Sequence, residues 1–462
     1  MVTDTRQHSP TGARAHEDRA DRAESRTAGA TAGRTAAGNT TGSAAEALGA
    51  LITALVGNTV PVRFEFWDGS GSGPTDGIGT ITIRSVDALR RILWAPGELG
   101  VSRAFVAGDL TVDGDLYGLL RALNRASGRD LRKVGMRTLP TMVAAAGRLG
   151  ALGPPLPPPP EECRPPGRLH SPTRDAAVIS HHYDVGNDFY RLVLGPSMTY
   201  SCARFVARDT TLEEAQAAKH ELICRKLGLG RQPGARLLDV GCGWGSMAIH
   251  AARHHHATVV GVALSREQVD EARRRVVQAG LADQIEIRLQ DYRDLGGEQF
   301  DAISSIGMFE HVGSGLMVRY FETLRGLVVP TGRLLNHAIS KPGGSFLGRR
   351  TFIGRYVFPD GELCDVADVV RAMQQTGFEV RDVESLREHY SRTLHHWVSN
   401  LEENWDRAVE LVGQARANIW RLYMAASANG FDDGGLAIHQ VLGVATAADG
   451  SSGMPPTRDG WG

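Results

Sequence analysis

The sequence has little of what marks several protein classes. Its 5 cysteines are scattered without a C-x-x-C pair, which argues against a disulfide framework and favours a reducing compartment. No run of about 18 or more apolar residues occurs, and the N-terminus, MVTDTRQHSP, lacks the apolar core of a secretory signal. The 51 Lys and Arg residues nearly balance the 52 Asp and Glu residues, which argues against a nucleic-acid partner held by phosphate contacts. We therefore expect a cytoplasmic protein without a transmembrane helix.

Composition divides the 462 residues into five segments. Residues 1–44 have almost no large apolar side chains to offset the entropy of ordering, so we predict a disordered tail. Residues 45–137 contain alternating apolar and charged positions and predict a small α+β domain. Residues 138–175 are a proline-rich linker, interpreted as a plain spacer rather than a docking motif. Residues 176–446 form a larger domain, and residues 447–462 form a C-terminal tail.

Apolar strands and amphipathic helices alternate through the larger domain. This alternation implies right-handed crossovers and a mostly parallel sheet covered on both faces, so the predicted fold class is α/β and Rossmann-like. The predicted strands are 235–240, 258–264, 284–289, 300–306 and 333–339, with helices at 246–255 and 265–280. A last apolar run, 436–444, predicts a late strand at the edge of the sheet.

The first strand of this domain leads into a glycine-rich loop that opens a helix. Gly241, Gly243 and Gly245 follow the spacing G-x-G-x-G, and Asp239 precedes the first glycine by two positions. The loop has no Lys-Ser/Thr ending, so it is not a phosphate-binding P-loop, and it differs from the G-x-G-x-x-G of dinucleotide folds. A short loop with an acidic neighbour suits the amino-acid and ribose ends of S-adenosylmethionine (SAM). The alternative is a tight turn without a ligand.

Two further pairs of residues follow the next strands. Ligands of open α/β sheets bind beyond the carboxyl ends of the strands, where Ser265 and Gln268 and then Asp291 and Tyr292 are predicted to lie. Ser265 also occupies the position of a helix N-cap, with Gln268 at the capping-box position. Gln268 therefore caps the helix, contacts the ligand, or does both.

Three consecutive histidines, at 254–256, end the helix that the glycine loop opens. Adjacent side chains on a helix point in different directions, and cationic groups at this end complement the helix dipole. We therefore expect no metal site in this chain.

Several segments together resemble the signature of the cyclopropane-fatty-acyl-phospholipid synthases and the related mycolic acid cyclopropane synthases. The segments are HYDVGNDFY at 182–190, SMTYSCA at 197–203, QDYRDL at 290–295, GMFEHVG at 307–313 and YVFPDG at 356–361. The resemblance covers roughly residues 176–446. More weakly, residues 45–137 resemble the N-terminal, lipid-side domain of the bacterial phospholipid enzymes.

The resemblance implies a class I SAM-dependent methyltransferase fold with extra helices that cover an acyl channel. Together with Asp239, the implied SAM contacts are Tyr200, Ser201, Gly241, Gly243, Gly245, Leu264, Ser265, Gln268, Asp291 and Tyr292. A bound bicarbonate ion is implied at Cys202, Glu310, His337, Ile339 and Tyr390. Some bacterial members carry a cysteine in a late helix where this chain has Ser427, which puts a covalent role for that position in doubt.

The chemistry explains why such a set is needed. An alkene is a weak nucleophile, and the sulfonium of SAM supplies a sufficiently activated methyl group. The attack leaves a carbocation on the acyl chain, so water must be excluded and a base must remove a proton before a ring can close. Glu310 and His337 are natural polar partners for a bicarbonate base, and Tyr390 can donate a hydrogen bond. Taken singly, Glu310 also fits a helix N-terminal carboxylate, His337 a core histidine and Cys202 a small buried residue.

These features predict a cyclopropane-fatty-acyl-phospholipid synthase. Its partners would be unsaturated phospholipid acyl chains at the inner face of the membrane, with no nucleic acid, and a homodimer is left open. One alternative is SAM-dependent formation of a methylene- or methyl-branched fatty acid from the same cation. Another is a catalytically inactive module that binds lipid or SAM. Segment 387–422 holds three tryptophans and predicts helices that line the acyl channel or pack in the core.

Overall fold

A computed structural model describes most of the chain. The described residues are 42–56, 61–126, 131–165, 167, 174, 185–231, 233–346 and 350–461. Nearly all of the predicted disordered tail, residues 1–41, lies outside them. The described residues belong to one compact unit, which begins at Gly42.

The N-terminal part is a small α+β layer. Its elements are α1 (Ala44–Val56), β1 (Val62–Phe66), β2 (Gly71–Ser72), β3 (Gly79–Ile83), α2 (Asp87–Trp94), α3 (Glu98–Val106), β4 (Leu110–Gly114), α4 (Leu116–Ala126) and α5 (Leu131–Arg148). The sheet order is β2-β1-β3-β4, with β1 and β3 parallel. Phe64 lies opposite Ile81, and both side chains are buried, which confirms the alternating strand pattern.

The proline-rich segment packs against this layer, so its interpretation as a plain spacer is wrong. Helix α5 runs across the predicted boundary at residue 137. Beyond α5, the carbonyl oxygens of Pro154 and Pro157 accept hydrogen bonds from Arg90 and Arg91 of α2, at 2.9 and 2.8 Å. A proline lacks an N–H but keeps its carbonyl acceptor, so side chains of a neighbouring helix can bind an extended proline run.

The larger part is built on a seven-stranded sheet. Its strands are β5 (Arg236–Val240), β6 (Thr258–Ala263), β7 (Ile285–Leu289), β8 (Phe300–Ile306), β9 (Val328–Ser340), β12 (Glu379–Ser385) and β13 (Ala437–Val444). Their order is β12-β13-β9-β8-β5-β6-β7, and the five strands from β5 to β9 are parallel. The predicted α/β, mostly parallel fold is confirmed, and all five predicted parallel strands are present.

The last strand occupies a different place from the predicted one. β13 is antiparallel to both of its neighbours and lies between β9 and β12, so the expectation of an edge strand at 436–444 is wrong. The edge strand is β12, whose sequence EVRDVES contains only two apolar residues. Such a polar strand gives a weak periodic signal, because Asp382 is the only buried residue among its seven.

Helices cover both faces of the sheet and one end of it. The helices are α6 (Asn187–Leu194), α7 (Leu212–Leu227), α8 (Ser246–His255), α9 (Arg266–Gln278), α10 (Met317–Leu327), α11 (Phe352–Tyr356), α12 (Val366–Gln375), α13 (Arg387–Glu403) and α14 (Trp405–Asp432). A two-stranded ribbon, β10 (Ser345–Phe346) with β11 (Glu362–Leu363), precedes α12. Within the described part of the chain, no helix is both long and apolar enough to cross a bilayer.

The N-terminal layer and the late helices share one hydrophobic core. Phe105 and Leu119 of the layer belong to the same buried cluster as Met424 of α14. At the boundary, Asn429 donates to the carbonyl of Tyr117 at 3.0 Å. The N-terminal segment is therefore an integral support for the helices that cover the end of the sheet.

Candidate active site

A pocket lies at the carboxyl ends of β5, β6, β7 and β8. The glycine loop after β5 forms its floor, and all three of its glycines have backbone conformations that favour glycine. Gly241 has φ 75°, and a Cβ there would lie 3.1 Å from the side chain of Met308. Gly243 has φ 53° and borders the pocket opposite Gln268. The loop thus leaves room for a ligand close to the main chain.

Most of the predicted SAM contacts line this pocket. They are Tyr200, Ser201, Asp239, Gly241, Gly243, Leu264, Gln268, Asp291 and Tyr292. Ser265 and Gly245 are not among its lining residues. Ser265 is the N-cap of α9 and accepts the Gln268 N–H at 3.3 Å, whereas Gly245 packs against Ala272. The two predicted roles, helix capping and ligand contact, therefore fall to different residues: Ser265 caps the helix, and the side chain of Gln268 borders the pocket.

Asp239 brings a buried carboxylate to the pocket. Its Oδ1 accepts a hydrogen bond from Ser304 at 2.7 Å, and its Oδ2 has no partner among the residues that the structure describes. Burial raises the pKa of Asp239 to about 6. A buried polar atom without a partner is unusual, and this oxygen is free of described partners and can accept a hydrogen bond from a ligand.

Lys219 and His220 of α7 also line the pocket, and the sequence analysis missed both. Lys219 is fully buried, and its Nζ donates to Ser201 Oγ at 2.9 Å. Burial lowers its pKa to about 7, against the opposing effect of the Asp239 carboxyl group. In the sequence, α7 has a capping box and many charged residues, which are typical of a solvated surface helix. Only its packing shows that Lys219 faces inward.

The predicted anion-binding residues begin with Glu310, in the turn after β8. Its Oε1 accepts the main-chain N–H of Ile339 at 2.7 Å, so two of the five predicted residues are in direct contact. Its buried Oε2 has no partner within the described residues. Burial raises the pKa of Glu310 to about 7, so the carboxyl group can both hold and release a proton at neutral pH.

His337 lies two residues before Ile339 on β9. It is fully buried, and neither ring nitrogen has a hydrogen-bond partner in the described parts of the chain. Burial, reinforced by the positive charge of Lys219, lowers the pKa of His337, so its ring is neutral. A neutral imidazole offers one donor and one acceptor.

Cys202 and Tyr390 lie at the start of α13. The Cys202 thiol donates to the carbonyl of Leu386 at 3.6 Å, and the same carbonyl accepts the Tyr390 N–H at 3.0 Å. Burial raises the pKa of the Cys202 thiol, which stays protonated. The Leu386 N–H in turn donates to the carbonyl of Ile438, the residue of β13 that pairs with Ile339. A short series of contacts therefore connects Cys202 and Tyr390 with the Glu310–Ile339 pair.

Aromatic rings form the wall between the pocket and the late helices. Tyr200 lies 5.4 Å from Trp397 and 5.8 Å from Trp420, measured between ring centroids. Its hydroxyl donates to that of Tyr423 at 3.3 Å. Tyr190 packs against Trp244 with centroids 4.7 Å apart. Such a wall excludes water, and its ring faces stabilise positive charge.

Comparisons with known proteins agree with this geometry. Residues 170–441 match the family described as mycolic acid cyclopropane synthetase. The chain is 43% identical to a probable fatty acid methyltransferase of Mycobacterium tuberculosis, over 86% of this chain and 93% of that protein. It is 32% identical to the cyclopropane-fatty-acyl-phospholipid synthase of Escherichia coli, over 81% of this chain and 88% of that protein. The solved structure of mycolic acid cyclopropane synthase CmaA1 complexed with SAH and CTAB is 33% identical, with a TM-score of 0.55, and the match covers 58% of this chain and 97% of that one.

The match extends over more than half of the chain and includes the pocket and the residues around Glu310. The sheet order and the solved structures together show a class I SAM-dependent methyltransferase fold. The chain therefore belongs to the mycolic acid cyclopropane synthetase family, and it is a SAM-dependent methyltransferase.

Proposed function

We propose that the chain transfers the methyl carbon of SAM to the cis double bond of an unsaturated phospholipid acyl chain and closes a cyclopropane ring. The observation that carries the proposal is the buried Glu310 carboxyl group, which has one oxygen fixed by a main-chain N–H and the other without a partner among the described residues. Ring closure needs a place for one departing proton in a dry site. The name of the Escherichia coli relative supports the same reaction.

The residues fit the two small molecules that this reaction requires. When bound, SAM supplies an electrophilic methyl group and bicarbonate supplies a replaceable base. Asp239 and the glycine loop would hold SAM, since the loop allows close approach and Asp239 Oδ2 lacks a partner in the described structure. Glu310 and His337 would hold the anion, since both are buried with polar atoms that no described residue satisfies.

The chain's own groups then act by position and charge. Ile339 fixes the Glu310 carboxyl group through its N–H, so that Oε2 stays directed at one point. His337 is neutral and can donate one N–H to an anion without bringing a second charge. The rings of Tyr200, Trp397 and Trp420 exclude water from the acyl cation and stabilise it by their faces. In the net reaction the acyl chain gains one carbon, and one proton of the transferred methyl group leaves.

The test uses the full chain with vesicles of unsaturated phospholipid, bicarbonate and SAM labelled in its methyl group. We expect label in the acyl chains, a mass gain of one CH2, and products that resist mild catalytic hydrogenation. Glu310→Gln should bind SAM normally but lose turnover, because the change removes the carboxyl group that would hold the anion. Absence of label from the lipid of the wild-type reaction would contradict the proposal and favour a module that only binds its ligands.

A second candidate is the formation of a methylene- or methyl-branched fatty acid. The observation that favours it is the name of the relative with the higher identity, a probable fatty acid methyltransferase. The reactions share the cation: a ring or a methylene branch forms when the cation loses a proton, whereas a saturated methyl branch requires hydride from a separate reductant. Hydrogenation separates a ring from a methylene branch, because the methylene branch takes up hydrogen under conditions that leave a cyclopropane ring intact. Mass separates a ring from a saturated methyl branch, which has two more hydrogen atoms.

A further inference from the structure

A cluster of metal-binding side chains lies away from the active site, where α7 packs against α8. The ligand atoms of Cys224, His250 and His255 all lie within 4.8 Å of one another. Glu221, one turn before Cys224, directs its Oε2 at both histidines, 3.2 Å from His250 Nε2 and 2.9 Å from His255 Nε2. We propose that Glu221, Cys224, His250 and His255 bind a zinc ion that ties α7 to α8.

The four donors are the kinds that zinc prefers. Zinc in structural sites is held by four ligands drawn from thiolate, imidazole and carboxylate groups in a compact tetrahedron. Here one sulfur and two imidazole nitrogens from two helices lie within 4.8 Å of one another, and a carboxylate oxygen of Glu221 contacts the two histidines. Glu221 and Cys224 are three residues apart and so share one face of α7. Four protein ligands would leave no open position, which is typical of a structural rather than a catalytic ion.

The contacts of His255 point to a cation between it and Glu221. Its Nδ1 lies 3.1 Å from the carbonyl oxygen of Leu229, while its Nε2 faces Glu221 Oε2. A neutral imidazole has a single N–H and cannot donate to both acceptors. With a metal on Nε2, the ring donates from Nδ1 to the Leu229 carbonyl, which is the arrangement that holds most metal-ligating histidines in place.

The surroundings also suit a stable ion. Glu221 Oε1 is held by Arg225 Nε at 2.7 Å, which orients the other oxygen toward the cluster. Cys224 is fully buried, and both histidine side chains are 12% exposed, so the thiolate would lie on the protected side of the ion. The Glu221 side chain, 32% exposed, leaves an entry path from solvent.

The ion would also affect the methyltransferase pocket. The His250 ring lies 5.6 Å from that of His220, measured between centroids, and His220 borders the pocket beside Lys219. An ion that ties α7 to α8 would therefore hold the helix that supplies Lys219 and His220. The rival explanation is a set of hydrogen bonds among these side chains without a metal.

The experiment measures bound metal directly and does not depend on activity. Protein produced without a histidine tag is incubated with Zn²⁺, desalted and analysed for metal. We expect about one zinc per chain in the wild type, with loss of that zinc in Cys224→Ser and His250→Gln. The controls Cys364→Ser, at a buried thiol outside the cluster, and His254→Gln, on the same helix, should keep it.

Cobalt gives a second readout that needs no variant. Wild-type protein loaded with Co²⁺ should show a thiolate-to-cobalt charge-transfer band, which zinc abolishes by displacement. Zinc that leaves the wild type on desalting, or that Cys224→Ser retains in full, would be an adventitious ion only and would overturn the proposal. Cobalt-loaded wild-type protein without the thiolate band would overturn it as well, even where the variants fail to fold.

Discussion

Replacing Lys219 with methionine should raise the stability of the folded protein and weaken its binding of SAM. Lys219 is fully buried, and burial lowers its pKa from 10.5 to about 7. This difference corresponds to roughly 5 kcal/mol for keeping the ammonium charged in the folded protein, because each pKa unit is worth about 1.4 kcal/mol. The unfolded chain holds this proton up to its ordinary pKa of 10.5, so the penalty is full below pH 7 and disappears between pH 7 and pH 10.5. The free energy of unfolding of the wild type should therefore rise across that interval.

Lys219→Met should remove this rise and increase the free energy of unfolding at neutral pH. It should also weaken SAM binding by about 10- to 150-fold, because a hydrogen bond to a charged group contributes about 1.5–3 kcal/mol. Calorimetric titration with SAM measures the affinity, and urea unfolding between about pH 6 and pH 10 measures the stability. If the variant bound SAM and turned over as well as the wild type, the assignment of Lys219 to the pocket would be refuted.

The matched control is Lys226→Met, at a second buried lysine of the same helix. Lys226 Nζ lies 2.8 Å from Asp382 Oδ2 and also pairs with Glu384, away from the pocket. Breaking this buried ion pair should lower the free energy of unfolding by about 3–5 kcal/mol. The affinity of the folded variant for SAM should stay at the wild-type value. The two lysines are thus expected to respond in opposite ways.

Three further changes test other parts of the structure. Glu310→Gln should stabilise the protein at pH 8 by up to roughly 3 kcal/mol. The wild-type carboxyl group has its pKa raised from 4.5 to about 7, so it contributes stability below pH 4.5 that is lost as the pH rises through 7. Equal urea midpoints for the variant and the wild type at pH 8 would contradict this. Trp420→Leu should admit water and divert part of the product to a hydroxylated, methyl-branched chain, which lipid mass spectrometry detects; an unchanged product ratio would count against the aromatic wall. Arg103→Ala should lower the free energy of unfolding by roughly 2 kcal/mol, because it removes the Arg103 hydrogen bonds to the buried Glu162 carboxylate, which keeps Arg164 as a partner; a loss near zero would favour the spacer interpretation of the proline-rich segment.

Local patterns in the sequence were sufficient to predict the fold of the larger domain. A few neighbouring residues were enough to predict the glycine loop, the five parallel strands and the helix at 246–255, because apolar periodicity and turn-forming residues act over short distances. The order of the motifs, from TYSC to FEHVG, also indicated the family, and the family match over residues 170–441 confirmed it. Seven of the nine predicted SAM-contact residues that line the pocket lie at or just after the ends of strands, and the carboxyl ends of parallel strands meet at one edge of the sheet.

Contacts between distant elements required the tertiary structure. Nothing local distinguishes Lys219 from the exposed lysines of a charged helix, and no spacing rule relates Cys224 on α7 to His250 on α8. The same holds for β13, whose apolar sequence indicates a buried strand but not which strands flank it. Periodicity reports whether a residue is buried, whereas the identity of its partners depends on how helices and strands far apart in the chain pack together. For this protein, the sequence alone determined the fold class and the location of the cofactor loop, and the packing of its elements decided which buried polar groups meet.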